Sequence, residues 1–250
     1  MRSLRRLLIG ALAAGLIAGT MPRAAAQGRA AELTAEQVQN AIRQGTQYLL
    51  NQQNARGQWD EMVIYPGGVT ALVTLALLNA GVEPSHPKLQ KSLDYLRGLK
   101  PDKTYTVSLQ TMALCAAEPA RYLPQIQENA RWLERVQIKQ GDRAGSWSYG
   151  AEMMGGDNSN SQFAVLALHE AELAGARIDP QTWRRAADYW KRAQEPNGSW
   201  SYTLGGGLPS TGSMTAAGIG AWVICSGHVA AASADAAGGI VQCCLPAADD

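Results

Sequence analysis

The stretch with the densest functional groups is Gly155-Gly156-Asp157-Asn158-Ser159-Asn160-Ser161-Gln162, at the head of an otherwise apolar run. Asp, Asn and Ser are the residues that cap helix N-termini, because their side-chain oxygens accept from the first unpaired backbone amides. The same groups around a cavity mouth would hydrogen-bond a ligand. Two readings therefore stand side by side. One is a cap with a solvated loop, and the other is a binding site in which Asp157, Asn158, Asn160 and Gln162 meet a small apolar, peptide or glycan ligand. Trp147 and Tyr149, in a Gly145-Ser146-Trp147-Ser148-Tyr149-Gly150 loop, would add flat amphipathic surface. On a solvated mouth, the backbone amides and the helix dipole would keep Asp157 ionised, as an acceptor rather than an acid.

Other chemistry has little support. His86, His169 and His228 are scattered, and no Cys-x-x-Cys pair occurs, so neither a metal site nor a cofactor is expected. Cys115 and Cys225 lie in apolar runs and read as core, while Cys243 and Cys244 are adjacent. A formal charge of +1, from 22 basic and 21 acidic side chains, gives no electrostatic case for nucleic acid or an anionic membrane. Gly205-Gly206-Gly207 has no strand before it and is not a phosphate cradle.

The elements that would position these groups come from an internal repeat. Tyr48-Leu49 is followed by Gln53, Gly57 and Trp59, and Tyr189-Trp190 is followed at identical spacing by Gln194, Gly198 and Trp200. A third copy has Trp132-Leu133, Gln137, a longer gap, then Gly145 and Trp147. A fourth, decayed copy keeps Tyr95-Leu96 and ends its loop on Lys103-Thr104-Tyr105. Steps of 46, 42 and 53 residues separate Trp59, Tyr105, Trp147 and Trp200, a period that holds one helix pair. The first helix of each pair is amphipathic. Thr34 with Gln37 forms a capping box ahead of one, and Pro87 and Pro180 open two others. The second helices, expected over 69–80, 106–117, 161–173 and 214–226, are nearly free of charge before their last turn, so they must be buried or line a cavity. Strand alternation is absent, and the class predicted is all-α.

The Gln-x3-Gly-x-Trp motif closing an outer helix ahead of an apolar inner one resembles the repeat of squalene-hopene cyclases and protein prenyltransferase β subunits. That resemblance, over residues 34–228, implies an α/α toroid of about four helix pairs. It also implies that Gln53, Gly57, Trp59, Gln137, Gly145, Trp147, Gln194, Gly198 and Trp200 are structural joints. Cyclases of that family protonate their substrate with an Asp-x-Asp-Asp motif, and here Ser159 and Asn160 stand at two of the acids. Neither can protonate an alkene. Aromatic cation-steadying residues are sparse, chiefly Tyr105, Phe163 and Trp222, and Cys225 with His228 lacks an acidic partner for the prenyltransferase zinc. The expected function is a non-catalytic module binding a ligand or protein partner, with an enzyme acting on an isoprenoid as the alternative.

The two ends complete the reading. Arg2, Arg5 and Arg6, an apolar run over 7–17 and Ala24-Ala25-Ala26 predict a signal peptide over 1–26. The expectation is therefore an exported protein, periplasmic or extracellular, without a transmembrane span. Arg5-Arg6 weakly resembles a twin-arginine signal. Residues 229–250 are expected to form an irregular tail, and four units leave an open edge for further repeats or another subunit.

Overall fold

The computed structural model describes residues 33–151, 155–205 and 207–236. The expected signal peptide over 1–26 and the Cys243-Cys244 pair lie outside them. Eight α-helices account for the described residues, with isolated bridges but no strand among them. The all-helical class is therefore observed.

Two compact units divide the chain, residues 1–41 and 42–250. The first contains the start of α1 (Ala35–Gln52), where Thr34 and Gln37 form the capping box. Gln37 accepts from the Thr34 amide at 2.9 Å, and Thr34 Oγ1 accepts from the Gln37 amide at 3.1 Å.

The second unit holds the rest of α1 and then α2 (Gly68–Asn79), α3 (Pro87–Gly98), α4 (Thr104–Ala117), α5 (Pro119–Val136), α6 (Asn158–Leu173), α7 (Pro180–Arg192) and α8 (Gly212–Ala236). Prolines 87 and 180 stand at the first helical positions, and His86 and Asp179 cap them by accepting from the amides of Lys88 and Gln181. The uncharged helices α2, α4, α6 and α8 pack in succession, α4 between α2 and α6, and α6 against α8. The charged helices α3, α5 and α7 lie against this row. They bury one stripe each: Leu89, Leu93 and Leu96; Tyr122, Ile126, Ala130 and Leu133; Trp183, Ala187 and Trp190.

Two boundaries differ from the sequence expectation. The uncharged helices start before 69, 106, 161 and 214, most clearly α6, which takes in Asn158 to Asn160 because Asp157 is its cap. Helix α8 runs through residues 229–236, where a tail was expected, since the alanines after Val229 favour helix. By length and composition α8 is apolar enough to cross a membrane. Its Ala217, Ala221 and Cys225 are nevertheless buried, in a helix packed on α6 and α7.

The motif residues make one set of bonds, repeated. Trp59, Trp147 and Trp200 are buried, and their indoles donate to the carbonyls of Leu49, Leu133 and Trp190 at 2.8, 2.7 and 3.0 Å. Their backbone amides donate to hydroxyls of the following helix, on Thr70, Ser161 and Thr215. Each Gln side-chain amide donates to its motif glycine carbonyl, Gln53 to Gly57, Gln137 to Gly145 and Gln194 to Gly198. Gln53 and Gln137 also donate onward to the next charged helix, at the carbonyls of Lys88 and Thr182. In the decayed copy no tryptophan is present. Gln110, buried on α4, donates instead to the carbonyl of Leu96, the residue equivalent to Leu49, Leu133 and Trp190. The joint survives because the orphan carbonyl at a helix end still finds a donor.

Candidate functional site

Asp157 caps α6 and is pulled inward rather than set on a solvated mouth. It is 3% exposed, with one carboxylate oxygen accepting from the Asn160 amide at 2.7 Å and the other from the Asn160 side chain at 2.8 Å. Burial raises its carboxyl above the ordinary carboxylate range, and the Asn160 donors offset only part of that. The expectation of a solvated Asp157 is therefore corrected: the loop over 145–150 and the turn at 200–202 cover it. Trp147 O accepts from the Asp157 amide, and Tyr202 O accepts from the amide of Asn158.

The neighbouring polar residues are committed in the same way. Asn158 is fully buried, donates to Ser201 O at 2.8 Å and accepts from the Tyr189 hydroxyl at 2.6 Å. Trp147 is fully buried, with its ring nitrogen on Leu133 O. Asn160 is fully buried too, and its side-chain oxygen has no hydrogen-bond partner. Of the six candidate ligand residues, Asp157, Asn158, Asn160 and Trp147 thus face protein. Gln162 and Tyr149 are partly exposed.

What surrounds Tyr149 is an aromatic cluster. The Tyr149 and Tyr202 hydroxyls are 2.9 Å apart, and Tyr105 donates to Ser159 Oγ at 2.5 Å. The Tyr105 ring lies 5.7 Å from Tyr149 and 4.9 Å, edge-on, from Phe163, and Tyr65 stands 6.3 Å from Tyr149. All five side chains are half-buried. Five segments contribute: the turn before α2, the start of α4, the two motif loops and the first turns of α6. The Thr104 amide donates to Tyr149 O at 2.9 Å, which ties the start of α4 to the loop. Burial raises the phenols of Tyr105 and Tyr202, so both are neutral hydroxyls at physiological pH. Such a cluster offers ring faces and hydroxyls but no exposed carboxylate.

Sequence reasoning named Tyr105, Phe163 and Tyr149 separately and passed over Tyr65. Their convergence had no local signal, because the two motif loops bring together residues 53 positions apart. It also missed a second cluster, at the other end of α6. His169 Nδ1 and His228 Nε2 are 3.0 Å apart, His228 Nδ1 is 3.0 Å from a Glu172 carboxylate oxygen, and the Trp183 ring stacks on His228 at 4.0 Å. The two histidines are therefore adjacent rather than scattered. The Trp183 ring nitrogen donates to Glu172 at 3.0 Å. Burial, and then His169, holds His228 down to about 4. No group of three or more His, Cys, Asp or Glu side chains among the described residues is arranged to hold a metal ion.

Set against known proteins, the chain matches no family model and no curated sequence.

Proposed function

We propose that the chain is an exported arc of an α/α toroid, of the squalene-cyclase and prenyltransferase type, that binds a ligand without transforming it. The observation that carries this reading is the division of labour at the start of α6. The acid of the stretch, Asp157, is buried with both oxygens engaged, while the half-buried groups beside it are Tyr105, Tyr149, Tyr202, Phe163 and Ser159. Rings with hydroxyl tips suit an apolar ligand that carries a hydrogen-bonding end. An isoprenoid alcohol has that character.

The enzyme alternative has one observation in its favour. Clustered tyrosine rings could steady a cation, and burial raises the Asp157 carboxyl toward the protonated form an acid catalyst needs. Against it, both Asp157 oxygens are engaged by Asn160. The test is to titrate the purified chain with farnesol by calorimetry and, separately, to incubate it with squalene and analyse the products by mass spectrometry. Binding weakened at least tenfold by a Tyr105→Ala, Tyr149→Ala double substitution, without product, supports the binding module. A cyclic product that disappears in Asp157→Asn establishes the enzyme.

A further inference from the structure

The repeats can be placed in register by their Tyr48-Leu49, Tyr95-Leu96, Trp132-Leu133 and Tyr189-Trp190 pairs. Six residues before each aromatic stand Ile42, Leu89, Ile126 and Trp183. Leu89, Ile126 and Trp183 are buried, whereas Ile42 on α1 is 47% exposed. Three residues before each aromatic stand Gly45, Ser92, Asn129 and Ala186, a run of short side chains. Ser92, Asn129 and Ala186 are buried, and Gly45 has open space where a Cβ would project. Among the described residues, the part of α1 within the second unit thus carries the docking face of a charged helix, uncovered at Ile42 and Gly45.

The opposite end has the matching vacancy. At the first and third joints the motif glycine is pressed against the next charged helix: a Cβ on Gly57 would lie 2.7 Å from the Lys91 carbonyl, and one on Gly145 would lie 1.9 Å from Arg185 O. Lys91 and Arg185 are equivalent positions, and Gln44 is their counterpart on α1. At the last joint, Gly198 and Gln194 are exposed, and the nearest atom to a Cβ on Gly198 is Gln194 Nε2 at 3.9 Å. Gln194 donates to Gly198 but, unlike Gln53 and Gln137, to no carbonyl of a following helix. In the helix that follows, Ile219 of α8 is 53% exposed, although its counterparts Thr74 and Val165 are buried.

We propose that copies of this chain associate head to tail, α1 of one copy seating on the Gln194–Gly198 socket of the next. The internal joints specify the occupant: a helix with a short residue at the fourth position before its closing Leu or Trp, a large apolar one three residues earlier, and a backbone carbonyl for the Gln amide. Helix α1 meets the first two with Gly45 and Ile42, and any helix supplies the third. Charge agrees as well, since α1 has Glu36 in its first turn and α7 ends on Lys191 and Arg192. The contact continues an interface the molecule already builds between its own repeats. Being heterologous, it yields a closed ring or a filament according to the rotation between copies. The proposal is independent of the ligand assigned to the aromatic cluster.

Sedimentation velocity of the full chain over a concentration series tests it, with Gly45→Arg to obstruct the helix face and Gln194→Glu to set an acceptor where the socket needs a donor. Both positions are exposed, so helicity by circular dichroism should stay unchanged. The wild type should associate with rising concentration, and each variant alone should be monomeric. An equimolar mixture of the two should give a 1:1 dimer and nothing larger, because the Gly45→Arg chain retains a good socket and the Gln194→Glu chain a good helix. A wild type monomeric at every concentration, self-association that persists in Gly45→Arg, or a mixture that stays monomeric overturns the proposal. So does a monomer that co-sediments with phosphatidylcholine vesicles through α8, which would make a membrane the occupant of that edge.

Discussion

Alanine at Gly145 should damage the fold much more than alanine at Gly198, although the two glycines hold the same place in the repeat. Both have a left-handed backbone, φ 96° and 84°, which costs a residue with a Cβ about 1–2 kcal/mol. At Gly198 that is the whole effect, since nothing but the Gln194 amide comes within 4 Å. At Gly145 the new methyl would fall 1.9 Å from Arg185 O and 2.8 Å from Tyr189 Cβ. Helix α7 would have to retreat, stretching the 3.1 Å bond from Gln137 to Thr182 O and the 2.8 Å bond from Arg185 to Gln137. Overpacking of this kind costs about 1–3 kcal/mol more. The totals are then about 2–5 kcal/mol for Gly145→Ala and about 1–2 for Gly198→Ala. Urea unfolding followed by far-ultraviolet ellipticity, in dilute protein, should place the Gly145→Ala midpoint below that of Gly198→Ala. At a slope of about 1–3 kcal/mol per molar urea, the gap is on the order of 1 M. Equal midpoints would show that α7 does not press on the loop, and the account of the joints would fail.

Three further outcomes follow from the same geometry. Trp147→Ala should cost about 3–5 kcal/mol from the lost ring, with about 1–3 more for the Leu133 carbonyl left unpaired, read as the shift in the urea midpoint. Tyr105→Phe should cost about 0.5–1.5 kcal/mol by losing its bond to Ser159 while keeping its ring contacts, so farnesol affinity should fall less than in Tyr105→Ala. For His228, the folded chain holds the imidazole down to about 4 against an ordinary 6.5, so the unfolded chain takes up the proton first as pH falls. Its stabilising contribution is complete above about 6.5 and is lost as pH drops to about 4. Thermal melts across that range should show this loss, and His228→Gln should flatten it.

The helices and joints were legible because their causes are local. Helix pairs announce themselves through the contrast between the charged stripe of α7 and the uncharged face of α6, and the motif Gln and Trp answer needs that every helix end has, its unpaired carbonyls and amides. The site was legible in place but not in role. Asp157 was found where a polar group opens α6, yet its burial also depends on the turn carrying Tyr202, far along the chain. The same holds for Glu172, His169 and His228: α6 and α8 bring two histidines together through packing that no spacing rule encodes. Bonds of this sort depend on which helix lies beside which, and a pattern read one helix at a time does not contain them.

The loss of a tryptophan in the second repeat bears on more than that repeat. Gln110 reaches the Leu96 carbonyl from within α4, so the loop that ends at Tyr105 has no structural debt to discharge. Freed of that task, Tyr105 turns its ring to Tyr149 and Phe163 and its hydroxyl to Ser159. In this worn copy of the motif the aromatic at the loop's end closes no helix and joins the ring cluster instead. Degeneration of the repeat and acquisition of a contact surface are, at this position, a single event: restoring tryptophan to Tyr105 would strengthen the period and dismantle the cluster.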